Sequence, residues 1–170
     1  DIVSYDLSKN VHCNGILHTS TVIKGSSHYS LALTYLSRLM RHHDYVGALA
    51  MEFFVINDEL IVNECAPRVH NTGHWTIEGA VTSQFENHIR AITAMPLGQT
   101  TTHHHPAMVN VIGTAIPNDQ VDTQSNVEFD SGSNTGVFFH DYLKQERPGR
   151  KLGHITIVSE TSSQRDQLLK

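Results

Sequence analysis

The sequence predicts an α+β fold: a mixed, largely antiparallel sheet with helices, followed by a small β-rich portion. Three observations predict it: paired runs of β-branched residues, two segments with apolar residues at helical spacing, and Gly/Asn/Asp-rich turns between the later strand-like runs. Ile2 to Leu7 and Ile16 to Ile23 are β-branched and apolar and flank Asn14-Gly15, a strong short hairpin signal, so two antiparallel strands are expected there. Gly25-Ser26-Ser27 breaks that pattern and can cap a helix in which Ala32, Leu36, Leu39 and Met40 recur at helical spacing as far as Asp44. Val46 to Ile56 and Leu60 to Cys65 are apolar on adjacent as well as alternate positions, which suits strands covered on both faces. After a loop from Ala66 to His74, the residues Ile77, Val81, Phe85, Ile89 and Ile92 mark one face of a second helix, ended by Pro96 and Gly98. Met108 to Ile112, Val137 to Tyr142 and His154 to Val158 read as strands, and a further helix starts before Leu168-Leu169-Lys170.

Composition narrows the function. A chain of 170 residues that is 39% hydrophobic can bury a core of its own, which argues against disorder. The longest apolar stretch, Val46 to Ile56, is too short to span a bilayer, and the first residues lack a signal-peptide pattern, so a cytoplasmic protein without membrane contact is expected. A net charge of -5 argues against nucleic-acid binding. Cys13 and Cys65 are far apart and read as free thiols. The run His103-His104-His105 before Pro106 reads as a solvated loop. The chain starts directly in a strand-like run without methionine, so it is expected to belong to a longer polypeptide.

Glu52 interrupts one apolar strand and Glu64 stands near the end of the next. Such charges are costly unless paired or bound to a cation. A three-residue loop, Asn57 to Glu59, would pair Ile56 with Leu60 and set Glu52 opposite Glu64, whereas a two-residue loop would put Glu52 opposite Asn63. The three-residue loop is therefore expected, with Asn63 turned to the other face. Two carboxylates a strand apart, without a nearby metal-binding Cys pair, suit Mg²⁺. Arg68, four residues on, can clamp phosphate or carboxylate oxygens, and His70, Asn71 and His74 add neutral donors and acceptors. The basic cluster from Lys144 to Lys151 runs against the overall sign of charge and suits a small anionic ligand.

The segment from Gly47 to Gly98 resembles the ATP-grasp family. The wording from Asn63-Glu64 through Ala66-Pro67-Arg68, His70-Asn71-Thr72-Gly73-His74-Trp75 and Thr82-Ser83-Gln84-Phe85-Glu86, with Arg147-Pro148-Gly149-Arg150-Lys151-Leu152-Gly153-His154, resembles the family's carboxylating members in purine biosynthesis, the N5-carboxyaminoimidazole ribonucleotide synthases. The resemblance implies that residues 1–98 are the carboxy-terminal half of an ATP-grasp domain and 99–170 a small, truncated β-rich carboxy-terminal domain. It implies ATP with Mg²⁺, or Mn²⁺, as cofactors: Glu52 and Glu64 as metal ligands, with Asn63 joining them in cofactor binding. Arg68 and His70 would be catalytic. His70 and Asn71 would meet aminoimidazole ribonucleotide, and Lys144, Arg147, Arg150 and Lys151 its phosphate. Bicarbonate would be the second substrate, phosphorylated to carboxyphosphate before its carbon reaches the amine. The implied partners are the missing amino-terminal part of the same polypeptide and a second copy in a homodimer. Activity is expected only in the complete polypeptide. Another ATP-grasp carboxylase or transformylase, or a non-catalytic binding module, are the alternatives.

Overall fold

A computed structural model describes residues 1–114 and 135–169. Most of the Gly/Asn/Asp-rich stretch expected between two of the later strands, and Lys170, lie outside the described residues.

Strand β1 (Leu7–Cys13) and β2 (Ile16–Ile23) form the first hairpin. Asn14 and Gly15 have φ of 51° and 75°, the two left-handed residues that a two-residue turn matching strand twist requires. That turn pairs Cys13 with Ile16, so the polar residues just before it form the strand instead of the expected Ile2 to Leu7. Turn chemistry overrides β-propensity here. The displaced residues still pack: Tyr5 meets Trp75 edge to face at 6.1 Å and donates to the Thr82 carbonyl at 2.8 Å.

Helix α1 (Tyr29–His42) ends with Arg41 and His42 in its last turn, where cations suit the carbonyl end. Its N-cap is His28, without a side-chain cap, so the expected serine cap is corrected. Ser26 instead supports the chain one step earlier, accepting from the His28 N–H at 3.3 Å and, through its carbonyl, from Tyr29 at 3.1 Å.

Strands β3 (Ala50–Ile56) and β4 (Glu59–Ala66) form a separate two-stranded sheet. The three-residue loop is not formed. Asn57 and Asp58, with φ of 51° and 67°, make a two-residue turn that pairs Ile56 with Glu59. The register then shifts between Glu52 and Phe53, because Phe53 pairs with Val62 while Glu52 pairs with Glu64. Asn63 is the extra residue of a β-bulge, which turns Glu64 onto the Glu52 face. The expected opposition of the two glutamates therefore holds, by another device. The expectation of two covered faces does not: Tyr35 of α1 lies 6.1 Å from Phe53 on one face, while Phe54 on the other is 55% exposed.

The expected second helix is two. Helix α2 (Thr76–Gly79) stops where Ala80 bridges to Thr102, and α3 (Gln84–Ile92) restarts at a Ser83 cap that accepts from the Glu86 N–H at 3.1 Å. The residues buried on α3 are Gln84 and Asn87, whereas Ile89 and Ile92 are exposed. Asn87 explains the inversion: its Nδ2 donates to Tyr5 Oη at 2.8 Å and its Oδ1 accepts from the Gly98 N–H at 2.8 Å. Satisfied amides, rather than the apolar stripe, face the interior.

Strands β5 (His105–Ile112), β6 (Gly136–Asp141) and β7 (Lys151–Ser159) continue the main sheet in the order β1-β2-β5-β7-β6, antiparallel throughout. The β2–β5 pairing carries the sheet across residues 98 and 99. His103 and His104 lie in the expected loop and His105 opens β5, but all three are partly buried rather than solvated. Leu17, Val22, Trp75, Ala80 and Met108 form a core cluster against this sheet. Helix α4 (Ser162–Leu168) begins with a reciprocal Thr161–Gln164 capping box. Both cysteines are free and exposed, and no helix among the described residues is long and apolar enough to cross a membrane.

Candidate functional site

The bulge brings Glu52 and Glu64 to one face at the edge of the small sheet. Glu52 is nearly buried, its side chain 11% exposed, and Asn10 of β1 donates to its Oε1 at 3.5 Å. Asn10 Oδ1 in turn accepts from the buried Ser20 hydroxyl at 2.9 Å, which fixes the amide. Glu64 is half exposed. His70 stands between them, its Nε2 3.1 Å from Glu64 Oε1 and its Nδ1 3.8 Å from Glu52 Oε1. Thr72 Oγ1, 2.9 Å from Nδ1, holds the ring from the other side. Among the described residues no group of three or more His, Cys, Asp and Glu could hold a metal ion. Two carboxylates alone still suit Mg²⁺, which takes few protein ligands and completes its octahedron with water and phosphate oxygens.

Arg68 lines the same cleft as Glu52, Glu64 and His70. Arg68 is exposed and donates to the Val69 carbonyl at 3.0 Å. Lys151, at the start of β7, is half-buried; burial lowers its pKa, Glu52 and Glu64 pull it up again, and Arg68 pushes it down. Arg147 and Arg150 belong to a turn closed by the Arg150 N–H to the Arg147 carbonyl at 3.0 Å with Gly149 at φ 72°. Lys144 is exposed, its Nζ 5.0 Å from the Tyr142 ring. Asn71 is engaged: its amide pairs reciprocally with Asn110 at 3.1 and 2.6 Å. Asn63 is exposed at the bulge.

Behind the site is a histidine stack that the sequence reading missed. His154 is fully buried, stacked on His140 at 4.4 Å and tilted against His74 at 5.1 Å. Burial, with His140 and His74 beside it, pushes its pKa down to about 3. Tyr142 Oη lies 2.8 Å from His154 Nδ1, and burial raises that phenol to about 12. His140 is raised, first by its 2.6 Å hydrogen bond to Glu78. His74 is lowered to about 4 by burial; its backbone hydrogen bond with His70 opposes that, and His70, Lys151 and His140 add to the lowering. The signal that found Glu52, a polar residue inside an apolar strand, also marks His154 in Lys151–Ser159.

Residues 1–85, half of the chain, match the model of the ATP-grasp domain. The chain belongs to the ATP-grasp family. Residues 106–168 match the phosphoribosylaminoimidazole carboxylase C-terminal domain. This ATP-grasp chain is 40% identical over 165 residues to the N5-carboxyaminoimidazole ribonucleotide synthase of Vibrio cholerae, covering 96% of itself but 41% of that relative. It superposes on the crystal structure of the Thermus thermophilus N5-carboxyaminoimidazole ribonucleotide synthetase with a TM-score of 0.85 at 44% identity, covering 97% of this chain and 44% of the other. The Aspergillus clavatus synthase in complex with ADP and 5-aminoimidazole ribonucleotide gives a TM-score of 0.82 at 27% identity, covering 99% and 46%. The chain thus spans less than half the length of these relatives.

Proposed function

We propose that this chain forms the metal and substrate end of an N5-carboxyaminoimidazole ribonucleotide synthase, a cytoplasmic ligase of purine biosynthesis that uses ATP and bicarbonate to carboxylate 5-aminoimidazole ribonucleotide. The remaining part of the ATP site belongs to the rest of the same polypeptide, and the complete protein is a homodimer. The observation that carries this reading is the bulge-set pair Glu52–Glu64, with His70 between its carboxylates.

Glu52 and Glu64 would hold Mg²⁺, or Mn²⁺, with Asn63 joining them in cofactor binding. When bound, the metal offsets charge on the ATP phosphates. Arg68 reinforces that effect with fixed positive charge where the γ-phosphoryl group moves to bicarbonate. Carboxyphosphate forms and gives its carbon dioxide to the exocyclic amine, leaving phosphate. His70 lies within reach of both carboxylates and is suited to accept or hold a proton beside the amine. Asn71, locked by Asn110, presents a fixed edge to the aminoimidazole ring. Lys144, Arg147, Arg150 and Lys151 bind the ribose phosphate.

The test is ADP release by the complete polypeptide. Release should require both bicarbonate and 5-aminoimidazole ribonucleotide, and Arg150→Ala should raise the KM for the ribonucleotide about tenfold or more with the KM for ATP unchanged. ADP release indifferent to the ribonucleotide would overturn the reading.

A further inference from the structure

Gln84, the first residue of α3, is buried, and its side chain makes three hydrogen bonds to the segment that carries His70. Its Oε1 accepts from the His70 N–H at 2.9 Å and its Nε2 donates to the His70 carbonyl at 2.7 Å. His70 is extended there, at φ −127° and ψ 150°, so the amide grips it as a neighbouring strand would. The two backbone bonds fix the amide's orientation, which makes His74 Nδ1, 3.0 Å from Nε2, an acceptor. The Gln84 backbone is anchored as well, its N–H donating to Thr76 Oγ1 at 3.0 Å.

Gly73 belongs to the same device. A Cβ on it would lie 2.8 Å from Gln84 Oε1 and 2.9 Å from Cδ, so the glycine leaves room for the amide. The site residues Glu52, Glu64 and Asn71 are held by other partners, and the His70 ring has only Thr72 besides the two glutamates among the described residues.

We propose that Gln84 is a positioning residue: through the His70 backbone it sets the imidazole between Glu52 and Glu64, and Gly73 is the space that allows it. The kinetic consequence rests on the function proposed above; the geometric one does not.

The experiment uses the complete polypeptide with Gln84→Met, Gly73→Ala and the double variant. Gln84→Met should lower kcat about 10- to 100-fold with the KM for ATP within about twofold, as expected when a catalytic group shifts by about 1 Å. Gly73→Ala should lower kcat in the same direction, and in the double variant the two losses should not simply add, since both act through the one contact between position 84 and the His70 segment. A normal kcat in both single variants, or losses that simply add, would overturn the inference. The imidazole NMR signals of His70, assigned with His70→Gln, provide the second readout. They should move in both single variants; signals unchanged from wild type would overturn the inference even if the wild-type protein proved inactive towards 5-aminoimidazole ribonucleotide. In that last case the proposed reaction falls, while moved signals still support the positioning role.

Discussion

Acid should loosen this fold, through the histidine stack. His154 and His74 are held to about 3 and about 4, against an ordinary 6.5. A histidine whose folded pKa is depressed contributes stability above its unfolded pKa, and loses it as pH falls towards the folded value. Between 6.5 and about pH 5, the unfolded chain takes up a proton at each that the folded chain refuses, so each costs about 2 kcal/mol at about 1.4 kcal/mol per pH unit. Water reaches part of His74, so the combined value of about 4 kcal/mol is an upper bound. His105, also lowered by burial, acts in the same sense. His140 acts in the opposite sense: its pKa is raised by Glu78, so its contribution is present below 6.5 and lost as pH rises through the raised value. The net expectation is a loss of about 2–3 kcal/mol between about pH 7.5 and about pH 5. Urea denaturation followed by the fluorescence of Trp75, the one tryptophan, measures it. His154→Phe should flatten the pH dependence by roughly half. Stability that is flat or rises on acidification, or a slope unchanged in His154→Phe, would refute the reasoning.

Other outcomes follow from single contacts. Trp75→Ala should cost about 3–5 kcal/mol in the same denaturation experiment, because the ring is fully buried in the core cluster against Tyr5. Gly153→Ala should destabilise by more than about 1 kcal/mol, since the new methyl would run into the His140 carbonyl oxygen across the β6–β7 pair; unaltered stability would contradict that packing. Glu52→Gln and Glu64→Gln should each weaken Mn²⁺ binding, followed by electron paramagnetic resonance, about tenfold or more, with the Glu52 change also disturbing Asn10.

Much of the site was legible because its chemistry is local. Glu52 and Glu64 announce themselves as charges within apolar strands, and their alignment follows from the hairpin. The route to that alignment was not legible: Asn57-Asp58 forms a two-residue turn and the bulge at Asn63 supplies the missing residue. A bulge has little sequence signal, because it is chosen by what the two strands present to the rest of the fold. The first strand was misplaced for a related reason, since Asn14-Gly15 fixes which residues pair irrespective of their β-propensity. On α3 the apolar stripe pointed outwards because Gln84 and Asn87 make their hydrogen bonds inside, and only a three-dimensional partner list reveals that.

The central claim is tested most directly by following carbon from ¹³C-bicarbonate in the complete polypeptide with ATP, Mg²⁺ and 5-aminoimidazole ribonucleotide. A ¹³C carbamate on the ribonucleotide, formed with one ADP per carbamate and lost in Glu64→Gln, is the predicted result. ATP turnover without any labelled carbamate, or carbamate formation that persists in Glu64→Gln, would contradict it.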